Sequence, residues 1–457
     1  MIAGRRPTLV LATAFMLLTV ATVGWTKDLG DILVQKGLIT PEELRQAREE
    51  DKQKSAAEES RRDAIVAKLP AWLSTITPFG DLRIRDEGFY AKDLIGRNRF
   101  RFRARVGLNV NPNEEIGATF RLASGDPNDP ISANQSFQNV FTKKSVSFDQ
   151  AFLTLKPGKT FNLQPGIITV LAGKFGVPNY RVSEMVWDDD LTPEGFSESV
   201  AIVDQKDSLL RGLKVNGYQW IIDEVANGGD PSMIGGQIVS DWAFTDDAKM
   251  VFAFGDYSFQ NVNQVARKFL EPSSSSFNSN LATSNRFSKF SNGKISGFRS
   301  GFNLVNPNTE LNFTNLPLVG GAGVFGDLVY NTEADGKALG IATGFGFGHG
   351  SRDWYHNTLK NQHDWAFTYT FEHVGQDAVF SPFSMSDLDY VQQTATQKGS
   401  SNMEAHILRL DYMLLPSLQL TAKALIVNVL DRGSANAKLT SGNDTLLRTQ
   451  LDATLKF

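Results

Sequence analysis

The sequence predicts an all-β fold: a closed antiparallel transmembrane β-barrel of about 16 strands, behind a short helical N-terminal segment. Three observations carry this. Segment after segment alternates apolar with polar residues, and a period of two sends successive side chains to opposite faces of a strand. Beyond the first 24 residues no window approaches the roughly 18 uncharged apolar residues that a spanning helix needs, so a membrane crossing has to be made by strands. The chain also closes on an alternating strand whose last residue is Phe457. Its 457 residues include 39 Gly and 32 Phe, a pairing that suits many strands and turns.

Composition removes several function classes. Forty-six Lys+Arg against 50 Asp+Glu leaves a formal charge of −4, which speaks against a general nucleic-acid binder because such binding rests on a basic excess. The absence of cysteine excludes disulfides, thiolate catalysis and zinc-ribbon sites.

Residues 1–24 read as a signal peptide. Arg5 and Arg6 supply the basic start, Pro7 to Val23 the uncharged and mainly apolar core, and Thr22 and Gly24 the small residues before a cut near Trp25. Residues 25–70 read as a helical periplasmic segment. Thr40-Pro41-Glu42-Glu43 carries a cap, a proline suited to the first helical position and the glutamate of a capping box. The Ala, Glu, Lys, Gln and Arg that follow are strong helix formers with only a thin apolar stripe, which suits a solvated spacer better than a coiled coil, and Pro70 ends it.

The barrel is expected over residues 75–457. Its clearest strand is Arg97 to Val110, with Arg97, Arg99, Arg101, Arg103 and Arg105 on one face and Phe100, Phe102, Ala104, Val106, Leu108 and Val110 on the other. Guanidiniums on one face then repeat about every 7 Å. In a sandwich the greasy face packs inward; in a barrel it meets lipid and the arginines face a wet lumen. Asp81, Arg83, Arg85 and Glu87 oppose Leu82 and Ile84 just upstream, and Arg121 continues the pattern downstream. Further candidates are Val146 to Leu155, Ile167 to Phe175, Leu209 to Val215, Lys249 to Tyr257, Leu339 to Phe347, Asp364 to His373, His406 to Leu414 and Leu418 to Leu430. Gly, Asn, Asp, Pro and Ser between many of them are turn chemistry. Glu271 to Lys294, polar and rich in Ser and Asn, reads as an external loop.

The last strand alternates Leu447, Thr449, Leu451, Ala453, Leu455 and Phe457 with Arg448, Gln450, Asp452, Thr454 and Lys456. An amphipathic final strand ending in an aromatic resembles the signal that the barrel assembly machinery reads, which makes Phe457 a candidate assembly signal. Other motifs carry less. Gly321-Ala322-Gly323-Val324-Phe325-Gly326 matches a dinucleotide pattern but lacks a surrounding βαβ unit, so a Gly-rich barrel strand or loop is the better reading. The five histidines show no metal-ligand spacing, and Asp126, Asn128 and Asp129 lack the later bidentate acid of a calcium loop and suit a turn. No catalytic set, metal or cofactor is expected.

The arginine strand followed by Arg121-Leu122-Ala123-Ser124-Gly125-Asp126-Pro127-Asn128-Asp129-Pro130 resembles the putative-porin family of bacterial outer-membrane proteins. Asp149-Gln150-Ala151-Phe152, Trp187-Asp188-Asp189-Asp190-Leu191-Thr192-Pro193-Glu194-Gly195 and the helical lead Lys36 to Thr40 fit the same family. The resemblance is specific from about Leu29 to Gly195 and implies a 16-stranded porin barrel. Length agrees: Thr75 to Phe457, at roughly two dozen residues per strand and connection, gives about 16 strands, and bacterial barrels use even numbers. A barrel of that size leaves an aqueous channel.

The functional expectation is an outer-membrane porin for passive diffusion of small hydrophilic solutes or ions. The pore-lining candidates are Arg83, Arg85, Arg97, Arg99, Arg101, Arg103, Arg105 and Arg121. Asp81, Glu87 and Glu115 are candidates to pair with them. Asp188, Asp189, Asp190 and Glu194 are constriction-loop candidates which, placed in the lumen opposite the arginines, set up a transverse field. A solute-selective, anion-favouring uptake channel and a secreted β-sandwich binding protein are the alternatives; a barrel enzyme would need a catalytic set at its rim. Expected partners are outer-membrane lipids, the assembly machinery, small solutes and, as a homotrimer, other copies of the chain, but no nucleic acid.

Overall fold

The computed structural model describes residues 71–457 apart from 92–95, 227, 283, 351–352, 355–358, 392–395, 398 and 432–444, together with 34, 36–38, 40–46 and 49. The chain divides into two units, Met1–Ser74 and Thr75–Phe457. The proposed signal peptide and most of the helical segment lie outside the described residues. Within the first unit, residues 41–46 are helical and the capping box is formed: Glu43 N donates to Thr40 Oγ1 at 3.2 Å, and Thr40 N donates to Glu43 Oε2 at 2.7 Å. Among the described residues no helix is long and apolar enough to cross a membrane.

The second unit is a single closed sheet of 16 strands: β1 (Ile76–Ala91), β2 (Arg97–Val110), β3 (Ile116–Ser124), β4 (Val146–Leu155), β5 (Ile168–Lys174), β6 (Glu194–Asp204), β7 (Leu210–Ile221), β8 (Ser232–Ala243), β9 (Ala248–Gln260), β10 (Phe302–Leu316), β11 (Gly320–Asn331), β12 (Leu339–His349), β13 (Trp365–Val374), β14 (Met403–Leu415), β15 (Leu418–Val429) and β16 (Thr445–Lys456). Each pairs antiparallel with its neighbour in sequence, and β16 returns to β1 with Asp81 opposite Lys456 and Ala91 opposite Leu446. Closure removes the exposed edges that an open sheet of this length would carry. Phe457 extends the seam: its N–H donates to Gly80 O at 3.1 Å, and Gly80 N–H donates to Phe457 O at 2.9 Å. A two-residue strand, Gln135–Ser136, caps the outer part of β2, which β3 is too short to cover.

Alternation decides which side chains meet which surroundings. Leu82, Ile84, Val106, Leu108, Phe120, Phe252, Phe254, Val324 and Phe345 stand exposed on the outer face. On the opposite face Arg85, Glu87, Asn306, Glu310, Asp327, Glu372 and Arg448 are buried. This inside-out pattern is that of a sheet whose apolar side faces lipid. It is not that of a two-sheet sandwich, so the sandwich alternative falls.

The strands that the alternation predicts are present, several with longer bounds. Four others, β6, β8, β10 and β11, carried no strand expectation or only the Gly-rich one. Gly321 to Gly326 lies within β11. The connections at one end are short apart from 156–167 and 350–364, the longest ones lie at the other end, and Glu271 to Lys294 sits in the long 261–301 connection as expected. That connection holds its own small hairpin, Phe287–Lys289 with Ile295–Phe298.

Candidate functional site

Two long loops fold into the barrel. The 175–193 loop leaves β5 and returns to β6 at a pair of glycines, Gly173 and Gly195, which lie opposite each other with φ of +128° and +140°. Glycine is required there, because a Cβ at Gly195 would collide with the Gln219 carbonyl and one at Gly173 with the Ala151 carbonyl. The loop is held inside by apolar residues just before its acidic run. Met185, Val186 and Trp187 are buried, and the Trp187 ring lies edge-on to Trp220 at 4.9 Å and to Tyr257 at 5.3 Å. Polar ties add register: Ser183 Oγ donates to Asp327 Oδ2 at 2.5 Å, and Asn179 Nδ2 donates to Tyr257 OH at 2.8 Å.

The second loop, 375–402, packs on the first. Asp188 N–H donates to Phe383 O at 2.9 Å, Ser386 N–H donates to Asp188 Oδ2 at 2.8 Å, and Met385 N–H donates to Glu184 O at 3.1 Å. Phe380 and Phe383 join the same aromatic cluster as Trp187 and Phe259. The barrel therefore holds a second, internal hydrophobic core against β7–β10.

The arginine face lies on the other wall, and carboxylates from four elements meet it. Asp81 on β1 bonds Arg103 at 3.0 Å and Arg105 at 2.6 Å. Glu87 pairs with Arg99 and with Arg448, the latter at 2.5 Å. Asp452 holds Arg85 by both oxygens, at 2.7 and 2.8 Å. From the loops, Asp190 Oδ1 lies 3.1 Å from Arg103 and 3.3 Å from Arg105, and Asp387 Oδ1 lies 3.0 Å from Arg448 and 3.3 Å from Arg85. Seven guanidiniums (Arg83, Arg85, Arg99, Arg101, Arg103, Arg105, Arg448) thus share five carboxylates (Asp81, Glu87, Asp190, Asp387, Asp452). Lys423 also lies 3.8 Å from Asp387, so eight cations face five carboxylates, three more positive than negative charges.

The sequence candidates separate accordingly. Arg121 pairs with Asp149 at 2.5 Å on the same face, and Arg97 stands at the outer end over the Phe89 ring. Glu115, expected to pair with the arginines, lies in the β2–β3 turn and accepts from Thr160 N instead, at 2.8 Å. The turn is reached before the strand face begins, so its alternation does not continue β3. The acidic run divides in the same way. Asp190 touches the arginines directly instead of standing opposite them, Asp189 pairs with Arg181 at 2.6 Å, and Asp188 binds the second loop. Glu194 is not in the loop: it opens β6, is exposed, and pairs with Lys174 at 3.0 Å. Asp126 and Asp129 close a turn, with Asp129 N–H donating to Asp126 O at 3.0 Å.

Sequence reasoning missed Asp387, Arg448 and Asp452. The last two stood on the polar parity of the closing strand, and closure of β16 onto β1 brings that parity beside Arg83 and Arg85. Asp387 carried no local pattern, because its position depends on a loop packing.

The loop acids differ sharply in charge state. Burial alone would raise Asp190, but Arg103, Arg105 and Arg83 outweigh it and hold the carboxyl well below the usual range. Asp387 is held down in the same way against burial by Arg85, Arg448 and Lys423. Glu184 goes the other way: burial, with Asp189 nearby, pushes it up to about 7. Asp188 is raised by burial and by Glu184. The loops thus present ionised acids to the arginine face, while the acids at the junction between the loops hold their protons to higher pH than usual.

A closed 16-stranded barrel with an apolar outer face, loops folded inside and a charged inner wall is the architecture of a diffusion channel. The putative porin family matches residues 90–340, more than half of the chain. The chain belongs to that family. It is an outer-membrane porin, a water-filled transmembrane channel in the bacterial outer membrane, and family and fold are those of a channel rather than an enzyme. Similar solved structures include OprB of Pseudomonas putida at high pH (11% identity, 84% of this chain and 94% of that one, TM-score 0.49) and Salmonella typhi OmpF in complex with daunomycin (8%, 84% and 97%, 0.45). A mutant porin of Rh. blastica is similar at 9% identity, 84% and 100% coverage and a TM-score of 0.40. No curated protein matches the sequence.

Proposed function

We propose that small hydrophilic solutes cross this porin along the arginine face, past the inward-folded 175–193 and 375–402 loops, and that anions are favoured there. The observation that carries this reading is the sharing of five carboxylates among seven guanidiniums. The internal aromatic core occupies the β7–β10 side and leaves the charged wall as the polar side of the lumen. A positive excess on a wall with low-dielectric surroundings attracts counter-ions and sorts solutes by charge.

The test is the reversal potential of the full chain in a planar bilayer across a tenfold KCl gradient. Anion selectivity is expected near 0.1 M and should shrink near 1 M, where the Debye length falls from about 10 Å to about 3 Å. Cation selectivity at the lower salt would remove the reading.

Phe457 fits the role of assembly signal, since it is exposed at the seam that closes the barrel. Self-association, as a homotrimer, is supported by the wall around β5. Its seven residues rise only about 23 Å before tilt, short of an apolar band about 25 Å tall. Phe148 and Leu153 on β4 and Phe196 on β6, the strands on either side, stand exposed, and native mass in detergent tests it.

A further inference from the structure

We propose that Arg83 and Arg101 form a binding site for a small oxyanion, a carboxylate or phosphate group, within the arginine face. The proposal rests on the anion-favouring path above and names a point on it where a solute is held.

Strand register creates the site. Arg83 on β1 is directly opposite Arg103 on β2, and Arg85 is opposite Arg101. Two successive rungs therefore carry four guanidiniums and no acid, between an Asp81–Arg105 rung and a Glu87–Arg99 rung. Like charges directly opposite one another are destabilising, and each must find a counter-charge.

Two of the four do. Arg85 is held by both oxygens of Asp452, and Arg103 by Asp81 and Asp190. The other two are left short. The carboxylate oxygen paired with Arg83 lies at 3.9 Å, on Asp452, which Arg85 already occupies. The one paired with Arg101 lies at 3.7 Å, on Glu87, which also serves Arg99 and Arg448. The Nε atoms of both Arg83 and Arg101 are buried and make no hydrogen bond. These are diagonal positions on adjacent strands, so their Cα atoms are about 7–8 Å apart. Two guanidiniums at that spacing can close on one anion from either side.

The 125–145 connection between β3 and β4 completes the cradle with neutral groups. Asn134 Oδ1 accepts from Arg83 Nη2 at 2.8 Å, and Ser132 Oγ accepts from Arg101 Nη2 at 3.5 Å and from Asn134 Nδ2 at 3.2 Å. Among the described hydrogen bonds the Ser132 hydroxyl only accepts, which leaves its proton for a ligand oxygen. The chemistry favours an oxyanion over a halide. A guanidinium fork matches two oxygens of one carboxylate or phosphate, whereas a spherical ion uses only the charge.

The test uses the full chain in planar bilayers at 0.1 M KCl, with inorganic phosphate titrated in one arm and acetate in another. Saturable reduction of the chloride current is expected in at least one arm, and the arm that saturates identifies the oxyanion's source. Arg83→Gln with Arg101→Gln should raise the half-saturating concentration at least tenfold. Arg83→Lys with Arg101→Lys should raise it too while leaving the reversal potential near the parent value, because charge remains and the fork is lost. Removing equal charge from the exposed outer loop, by Lys294→Gln with Arg299→Gln, should leave half-saturation unchanged. Should the double glutamine variant insert poorly, Arg101→Gln alone carries the comparison. A current that never saturates, or a half-saturation unchanged in the Gln and Lys variants, overturns the site. Anion selectivity with no saturation would sink the site and leave the path; absence of anion selectivity would sink the path itself.

Discussion

Arg103 and Asp190 tie the barrel wall to a loop 87 residues further along the chain, with Nη1 3.1 Å from Oδ1. Both side chains are little exposed, at 12% and 11%, so the pair is screened less than a surface ion pair. The same carboxylate also serves Arg105, and its other oxygen accepts from Ala133 N at 3.2 Å. One side chain therefore fixes the loop and neutralises part of the arginine face.

Asp190→Asn should separate those two roles. The amide keeps a hydrogen-bond acceptor for Ala133 while the negative charge is lost, and the Trp187 anchor still holds the loop. The local excess rises by one charge, so the reversal potential at 0.1 M KCl should move further towards chloride in a pore that still folds. A shift towards potassium, or none, would show that this wall does not set permeation.

Much of this is legible in the sequence alone. The Arg97–Val110 alternation placed both faces of β2, because a period of two admits one assignment of faces once the other side is seen to be greasy. Asp81 and Glu87 were recognisable as partners by parity. The loop contacts were not legible: Glu194 reads as part of an acidic run, yet β6 already begins at that residue. Arg448 and Asp452 lie more than 360 residues from Arg85 and Glu87 in sequence, so only closure brings them together. The apolar Met185-Val186-Trp187 before Asp188 was the available signal for an inward anchor.

The loop junction should depend on pH. Glu184, whose ordinary value is 4.5, is pushed up to about 7 by burial, and Asp188 is raised beside it. The packed junction thus holds more protons than the released one between pH about 4.5 and about 7. Its stability is fully present below that window and falls as pH rises through it. Limited proteolysis of the 175–193 loop in the membrane-embedded protein should be several-fold faster at pH 8 than at pH 5. Glu184→Gln, which stays neutral, should flatten that ratio; a ratio already flat in the parent would contradict the sign.

Phe457 should matter for insertion beyond its own contacts. Deleting it removes the two backbone hydrogen bonds with Gly80 that extend the β1–β16 seam, while Phe457→Asp keeps the backbone and puts a charge where the exposed ring was. Both variants should lower the yield of heat-modifiable barrel in the outer membrane, and Phe457→Tyr should restore it. Equal yields from deletion and parent would remove Phe457 from assembly.

The outer face of β2 gives the sharpest contrast with its inner face. Val106 is about half exposed, opposite Gly80 on β1 and Leu122 on β3, and lies between Phe102 and Val110 on the same greasy side. Arginine is tolerated one residue away, at Arg105, because Asp81 and Asp190 meet it. At Val106 a guanidinium would have hydrocarbon around it and no carboxylate, which near the bilayer midplane costs about 2–4 kcal/mol and less towards either interface. Val106→Arg should therefore lower the unfolding free energy measured by denaturant titration in lipid vesicles by up to that amount, whereas Val106→Leu should stay close to the parent. The same pair compared in detergent should differ less, since a micelle adapts around the charge. A Val106→Arg barrel as stable in vesicles as Val106→Leu would mean that lipid does not cover this wall.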